Sequence, residues 1–151
     1  MVSNTIERDI LIEAPVETVW KVVTEPEQIV KWFSDEAEVD LRAGGQGSLT
    51  FGAKATNQEV TVPLQVVAVE PPHRFAYRWD HPQGVEPQEG NSLLVEFALT
   101  DEGGNTRLRV TESGFAALER AEDEKTAYYE AHAKGWDVHT TNLRDYVAGQ
   151  S

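Results

Sequence analysis

The chain has 151 residues, of which 40% are hydrophobic, and its 26 acidic and 13 basic side chains leave a formal net charge of −13. This size suits a single globular domain spanning residues 1–151, and the charge argues against binding to nucleic-acid phosphates or to anionic lipid surfaces. The absence of cysteine excludes disulfides and thiolate chemistry.

The N-terminal residues carry no basic segment followed by an apolar one, and the apolar runs of the chain are too short to span a bilayer. We therefore expect a cytoplasmic protein that does not insert into membranes. The lack of cysteine fits a reducing compartment.

A β-strand and two short helices are predicted in the first 33 residues. Alternation of Ile6, Arg8, Ile10 and Ile12 indicates a strand with one buried face. A first helix follows Pro15, with Val16, Val19, Trp20 and Val23 at helical spacing. The stretch from Thr24 to Glu27 is typical of a capping box and predicts the start of a second helix.

Strand patterns and turn residues alternate from there to about residue 113. The predicted strands cover residues 36–41, 47–52, 59–70, 73–80, 91–100 and 105–113. Connections rich in glycine and proline separate them, which is typical of an antiparallel meander. Because strand twist accumulates across a sheet, we expect the seven strands to curve.

The last thirty residues predict one long helix with a mixed aromatic and apolar stripe. The stripe consists of Tyr128, His132, Trp136, His139, Leu143 and Val147. We expect it to face the strand residues that share one parity, namely Leu49, Phe51, Phe75, Tyr77, Trp79, Val95, Phe97, Leu108 and Val110. The predicted fold is α+β, a curved seven-stranded antiparallel sheet wrapped around a long C-terminal helix, with two short helices between strands 1 and 2.

Several short motifs occur in a characteristic order along nearly the whole chain. They are Ile12 to Pro15 before Val19-Trp20, Pro26 with Trp32-Phe33, Gly44 to Gly47, Pro71-Pro72, Thr111 to Phe115, and Gly135-Trp136 with Leu143. With the order of elements, they resemble the helix-grip fold of the START-like superfamily, also called SRPBCC. Within it they are similar to the family related to the activator of the heat-shock-protein-90 ATPase.

This resemblance implies a fold more than an activity. The superfamily includes lipid and hormone carriers, polyketide cyclases and co-chaperone domains. The similarity is to the C-terminal type of domain of the ATPase activators, and 151 residues leave no room for their separate N-terminal domain. That counts against stimulation of a chaperone. The alternative is a surface-binding module whose partner is a chaperone. We expect the protein itself to be a monomer or a homodimer.

Bulky rings expected on both the sheet and the helix predict a cavity for a small hydrophobic or aromatic molecule. The predicted ligand-binding residues are Arg8, Trp32, Phe33, Phe51, Phe75, Tyr77, Trp79, Phe97, Glu112, Tyr128, His132, Trp136 and His139. Ordinary core packing is the alternative for each aromatic side chain. An unpaired buried charge is costly, so we expect Arg8 and Glu112 to pair with each other at the cavity wall. The alternative, with the register offset by one residue, is that both side chains are exposed.

Catalytic and cofactor-binding patterns are not found in the sequence. His132 and His139 are seven residues apart without a third ligand nearby, so we expect no metal site. Nucleophile-elbow and phosphate-cradling motifs are missing, so we expect no catalytic residue and no cofactor. The alternative is a cyclase-like or hydrolase-like enzyme that uses His132, Glu112 or Tyr77 as acid-base groups.

Overall fold

Seven strands, two short helices and one long helix follow one another in the predicted order. The structure is a computed structural model that describes residues 4–52, 60–82 and 84–149. Its elements are β1 Thr5–Ile12, α1 Val16–Thr24, α2 Pro26–Ile29, β2 Glu36–Val39, β3 Gln46–Phe51, β4 Val60–Glu70, β5 Arg74–Trp79, β6 Leu93–Glu102, β7 Asn105–Ser113 and α3 Glu122–Ala148. Residue 59, where a strand was predicted to begin, lies outside the described residues.

The strands form one antiparallel sheet in the order β1-β7-β6-β5-β4-β3-β2. The first strand therefore lies beside the last, and β1 and β2 form the two edges. Register places Ile6 opposite Glu112 and Arg8 opposite Val110. The sheet curves around α3, which confirms the predicted α+β helix-grip architecture.

Helix α3 starts where the sequence favours a helix N-terminus. Its first turn contains Glu122, Asp123 and Glu124, and negative charge there is stabilised by the helix dipole. The helix continues for 27 residues. No helix in the described part of the chain is both long and apolar enough to cross a membrane.

The capping box predicted at Thr24 is wrong. Thr24 is the last residue of α1, and its hydroxyl donates to the carbonyl oxygen of Trp20 at 2.7 Å. The N-cap of α2 is Glu25, which makes no side-chain capping bond. The threonine hydroxyl is thus used within the preceding helix, an alternative open to any Ser or Thr near helical backbone.

The core lies between the inner face of the sheet and the helices. The strand residues predicted to point inward are buried, with Phe51 only half-buried. On α3, Trp136, Leu143 and Val147 are buried, whereas Tyr128 and His132 are half-buried. The predicted stripe therefore faces the sheet.

Candidate functional site

A cavity of about 300 Å³ lies between α3 and the ends of β3, β4 and β5. Six of the predicted site residues line it: Phe33, Phe51, Trp79, His132, Trp136 and His139. Among the residues that the structure describes, sequence reasoning missed five further lining residues: Val60, Val62, Asp80, Ala131 and Gly135. Gly135 lies in the lining and has no side chain, so it leaves space at the surface of α3.

Phe33 is the central ring of the cavity wall. It stacks on Trp136 with ring centroids 5.3 Å apart, and its edge lies against His139 at 4.7 Å. Its ring also lies 5.5 Å from Phe51 and 5.7 Å from Trp79. Aromatic contacts of this kind stabilise beyond the burial of area, so they hold the apolar wall in a fixed arrangement.

Glu112, on β7, is fully buried and accepts three hydrogen bonds beside this wall. Its Oε2 accepts from the indole Nε1 of Trp79 at 2.7 Å, and its Oε1 accepts from the indole Nε1 of Trp136 at 2.8 Å. The Nδ1 of His132 lies 2.8 Å from the same Oε1. Because an indole N–H can only donate, both carboxyl oxygens act as acceptors, and these bonds offset the cost of burying the carboxylate.

The same geometry assigns the tautomer of His132. Both oxygens of Glu112 already accept from indoles, so the His132 ring is assigned as donating its Nδ1 hydrogen to Oε1. In a neutral ring with this hydrogen bond, the lone pair lies on Nε2, which makes no hydrogen bond to any residue that the structure describes. Since His132 lines the cavity, Nε2 is a hydrogen-bond acceptor available to a ligand.

Tyr77 and His139 bring buried polar atoms without partners to the same region. Within the described residues, neither the Tyr77 hydroxyl nor Nδ1 of His139 has a hydrogen-bond partner. Burial, and then the charge of Glu112, raise the pKa of Tyr77 well above its usual value. Burial lowers the pKa of His139 to about 4. Both side chains are therefore neutral near pH 7.

Asp80 is the acidic residue at the cavity wall that sequence reasoning missed. It follows the last residue of β5 in a left-handed backbone conformation, with φ of 67°, and aspartate is one of the residues that tolerate this region. Burial raises the pKa of its carboxyl group, against the opposing effects of His132 and Arg120. The only sequence signal was an aspartate directly after a buried strand.

The predicted pairing of Arg8 with Glu112 is wrong. Arg8 instead donates from Nε to Oδ1 of Asp137 at 2.6 Å and from Nη2 to the carbonyl oxygen of Ala133 at 3.3 Å. Glu112 has three N–H donors of its own, and the strand register places Ile6 opposite it. Arg8 thus connects β1 to α3 and is not among the lining residues.

The remaining predicted site residues lie deeper or to one side. Trp32, Phe75, Tyr77 and Phe97 surround a second, much smaller space of about 10 Å³. Tyr128 packs on the ring of His132 at 4.2 Å, and the guanidinium of Arg120 lies 4.3 Å over its face. These contacts are those of core packing, and a role of these side chains in ligand binding stays a prediction.

The site offers hydrogen-bond and acid-base groups but no cluster suited to a metal. Among residues 4–52, 60–82 and 84–149, no three histidine or carboxylate side chains are grouped so that they could hold a metal ion. Chemically, the cavity presents aromatic faces, Nε2 of His132, the His139 ring and the Asp80 carboxyl group.

Comparisons with known proteins agree with this architecture. A family model described as "Activator of Hsp90 ATPase homolog 1-like protein" matches residues 13–148. A solved structure from Nitrosomonas europaea has a TM-score of 0.80 at 18% identity, covering 97% of this chain and 96% of that chain. One from Mesorhizobium loti has a TM-score of 0.76 at 22% identity, covering 97% and 98%.

The Aha1 dimer from Colwellia psychrerythraea is a further structural neighbour, with a TM-score of 0.74 at 18% identity and coverage of 97% and 96%. At these identities the likenesses concern the fold alone. No curated protein matches the sequence.

Proposed function

Because the chain belongs to the family of activator of Hsp90 ATPase homolog 1-like proteins and has a cavity between its sheet and its long helix, we propose that it binds a small hydrophobic or aromatic molecule. The ligand lies between the sheet and α3, against Phe33, Trp79 and Trp136. The observation that carries the proposal is the cavity of about 300 Å³ beside a fixed aromatic wall.

The size and chemistry of this space favour a small ligand. Ligand sites usually measure about 300–1,000 Å³ and are mostly apolar with a few polar groups, so this cavity lies at the lower end. Its apolar surface comes from aromatic and aliphatic side chains. Among the lining residues that the structure describes, the polar side chains other than the bonded indoles are His132, His139 and Asp80. A compound of one or two fused rings matches this arrangement.

Gly135 provides a test that leaves the aromatic wall intact. A Cβ added there would lie 3.8 Å from the His139 ring, an ordinary contact, so a larger side chain can extend into the cavity without a backbone clash. The matched control is Ala127→Leu, which adds a leucine at an exposed position of the same helix outside the lining.

We expect wild type and Ala127→Leu to bind the uncharged fluorophore 6-propionyl-2-(dimethylamino)naphthalene saturably, with a blue-shifted emission. Gly135→Leu should weaken binding by at least roughly tenfold, while its thermal midpoint stays equal or rises, because leucine is a better helix former than glycine. Equal affinity in Gly135→Leu, or no saturable binding in wild type, would overturn the proposal.

A second candidate function is favoured by the description of the family itself. On that alternative, the protein is a co-chaperone-like module that contacts heat-shock protein 90 through its outer surface. Stimulation of the chaperone's ATPase by wild type and by Gly135→Leu to the same degree would support it, since an outer surface does not depend on the cavity.

A further inference from the structure

The proposed function leaves the chemical class of the ligand open, and the polar groups of the cavity restrict it. We propose, resting on that function, that the ligand is an uncharged aromatic compound with a hydroxyl group that donates a hydrogen bond to Nε2 of His132. Glu112 is the positioning residue that holds His132 as an acceptor.

The carboxylate of Glu112 is already occupied by hydrogen-bond donors of the protein. Its side chain is fully buried, and its two oxygens accept from two indoles and from Nδ1 of His132. Glu112 is also not among the described lining residues of the cavity, so a ligand there does not reach its carboxylate directly. The carboxylate therefore acts on a ligand only through the imidazole, whose acceptor strength rises when a carboxylate binds the opposite N–H.

The described wall of the cavity is acidic. The lining residues that the structure describes include no lysine or arginine, whereas Asp80 lies in the wall and Glu112 lies directly behind it. A carboxylate or phosphate on the ligand would approach these two acidic groups, and no cation among the described lining residues would pair with it. Uncompensated burial of charge is costly, so the site selects against anions.

The position of His132 determines where the hydroxyl group of a ligand would lie. His132 lies in the same wall as Trp79 and Trp136, with its ring 6.0 Å from that of Trp79. A planar molecule packed against these rings places a substituent on its edge within reach of the imidazole. The match is therefore to an aromatic hydroxyl, with the ring held by stacking and the hydroxyl by Nε2.

The tautomer can be tested in the wild-type protein without any substitution. Nitrogen-15 NMR of the histidine rings distinguishes a ring protonated on Nδ1 from one protonated on Nε2. We expect neutral His132 to carry its hydrogen on Nδ1. A ring protonated mainly on Nε2 would overturn the proposal, because Nε2 would then be a donor and could not accept the hydrogen bond of a ligand hydroxyl.

Ligand class is tested with four compounds of similar size, each displacing the uncharged naphthalene fluorophore. We expect 2-naphthol to bind roughly tenfold more tightly than naphthalene, the effect of one good hydrogen bond. It should also bind at least roughly tenfold more tightly than 2-naphthoate, whose carboxylate meets the acidic wall, and 2-naphthylmethylammonium tests whether that wall instead favours a cation. Tightest binding of either charged compound, or equal binding of naphthol and naphthalene, would overturn the proposal.

His132→Asn is the matched variant, because its NH2 group can still donate to Glu112 in place of Nδ1, while its carbonyl oxygen lies near the position of the ring Cδ2 and leaves no acceptor at the position of Nε2. The preference for naphthol over naphthalene should disappear, and the affinity for naphthalene should stay within about twofold. A preference that survives in this variant would overturn the proposal. If naphthalene binds wild type but not Gly135→Leu and naphthol has no advantage, only this inference fails; if no compound binds, the proposed function fails with it.

Discussion

Nδ1 of His132 and Oε1 of Glu112 lie 2.8 Å apart and join the middle of α3 to the inner face of β7. The contact brings a half-buried ring of the cavity wall against a carboxyl group without solvent exposure. With the two indole N–H groups, it makes Glu112 the point where β5, β7 and α3 are connected.

We expect Glu112→Gln to lower the free energy of unfolding by about 1–3 kcal/mol, the usual cost of leaving a buried donor unpaired. The amide NH2 would face the indole N–H of either Trp79 or Trp136, so one of them would lose its acceptor. Urea denaturation followed by tryptophan fluorescence measures the loss.

Glu96→Gln is the control for this change, because Glu96 is a partly exposed carboxylate bonded to Arg74 at 2.7 Å. It should cost less than about 1 kcal/mol. Equal stability of the two variants would contradict the assigned role of Glu112.

Tyr77→Phe should raise the free energy of unfolding by about 1 kcal/mol or more, since the buried hydroxyl has no partner within the described residues and its desolvation is uncompensated. Tyr146→Phe is the matched control, because the Tyr146 hydroxyl donates to Oε1 of Gln28, and its removal should destabilise the protein. Urea denaturation compares the two, and a loss in Tyr77→Phe would mean that the Tyr77 hydroxyl is bonded.

Stability should fall as the pH is lowered from about 6.5 toward 4, because the pKa of His139 is lowered by burial from 6.5 to about 4. In that window the unfolded chain binds a proton that the folded protein does not. The resulting loss in the free energy of unfolding amounts to about 3 kcal/mol and is complete below the folded-state pKa of about 4.

His139→Phe isolates this effect when denaturation is followed at several pH values. Burial raises the pKa of Asp80, so this group increases stability as the pH falls. Burial lowers the pKa of His81, so this group decreases stability as the pH falls, as His139 does. The difference between wild type and variant removes both contributions. A difference that does not change between pH 6.5 and 4 would refute the burial of a neutral His139.

Arg8→Met should lower the free energy of unfolding by less than about 1 kcal/mol, because the side chains of Arg8 and Asp137 are 31% and 65% exposed. The loss should shrink at high salt, which screens exposed charges. A double-mutant cycle with Asp137→Asn in low and high sodium chloride measures the coupling. A coupling that does not depend on salt would contradict this prediction.

The architecture was predictable because each element has a distinct hydrophobic period. Alternation in the strands and the three-to-four-residue spacing from Tyr128 to Val147 identify the faces that meet. Parity also placed Glu112 correctly on the inner face. Pairing between residues distant in sequence was not predictable, because the partners of Glu112 come from β5 and α3, and a register offset of two residues gives Arg8 a different partner.

The cavity itself depends on features that sequence patterns do not describe. Asp80 reaches the wall through one left-handed backbone conformation, and Gly135 leaves space through a missing side chain. Both are local details of a few ångströms, below the scale that periodicity can detect. The aromatic residues around the cavity were identifiable as a set, but their division between the wall and the deeper core requires coordinates.

The pairing of β1 with β7 joins Thr5 to Ser113, which makes the closing step of the sheet strongly non-local. During synthesis, the first strand stays without its partner until almost three quarters of the chain has been made. Contacts of such long sequence separation slow folding, and an unpaired strand is a template for aggregation. Glu7 and Asp9 are exposed on the outward side of β1. Their charges oppose pairing of β1 with another chain before β7 is available.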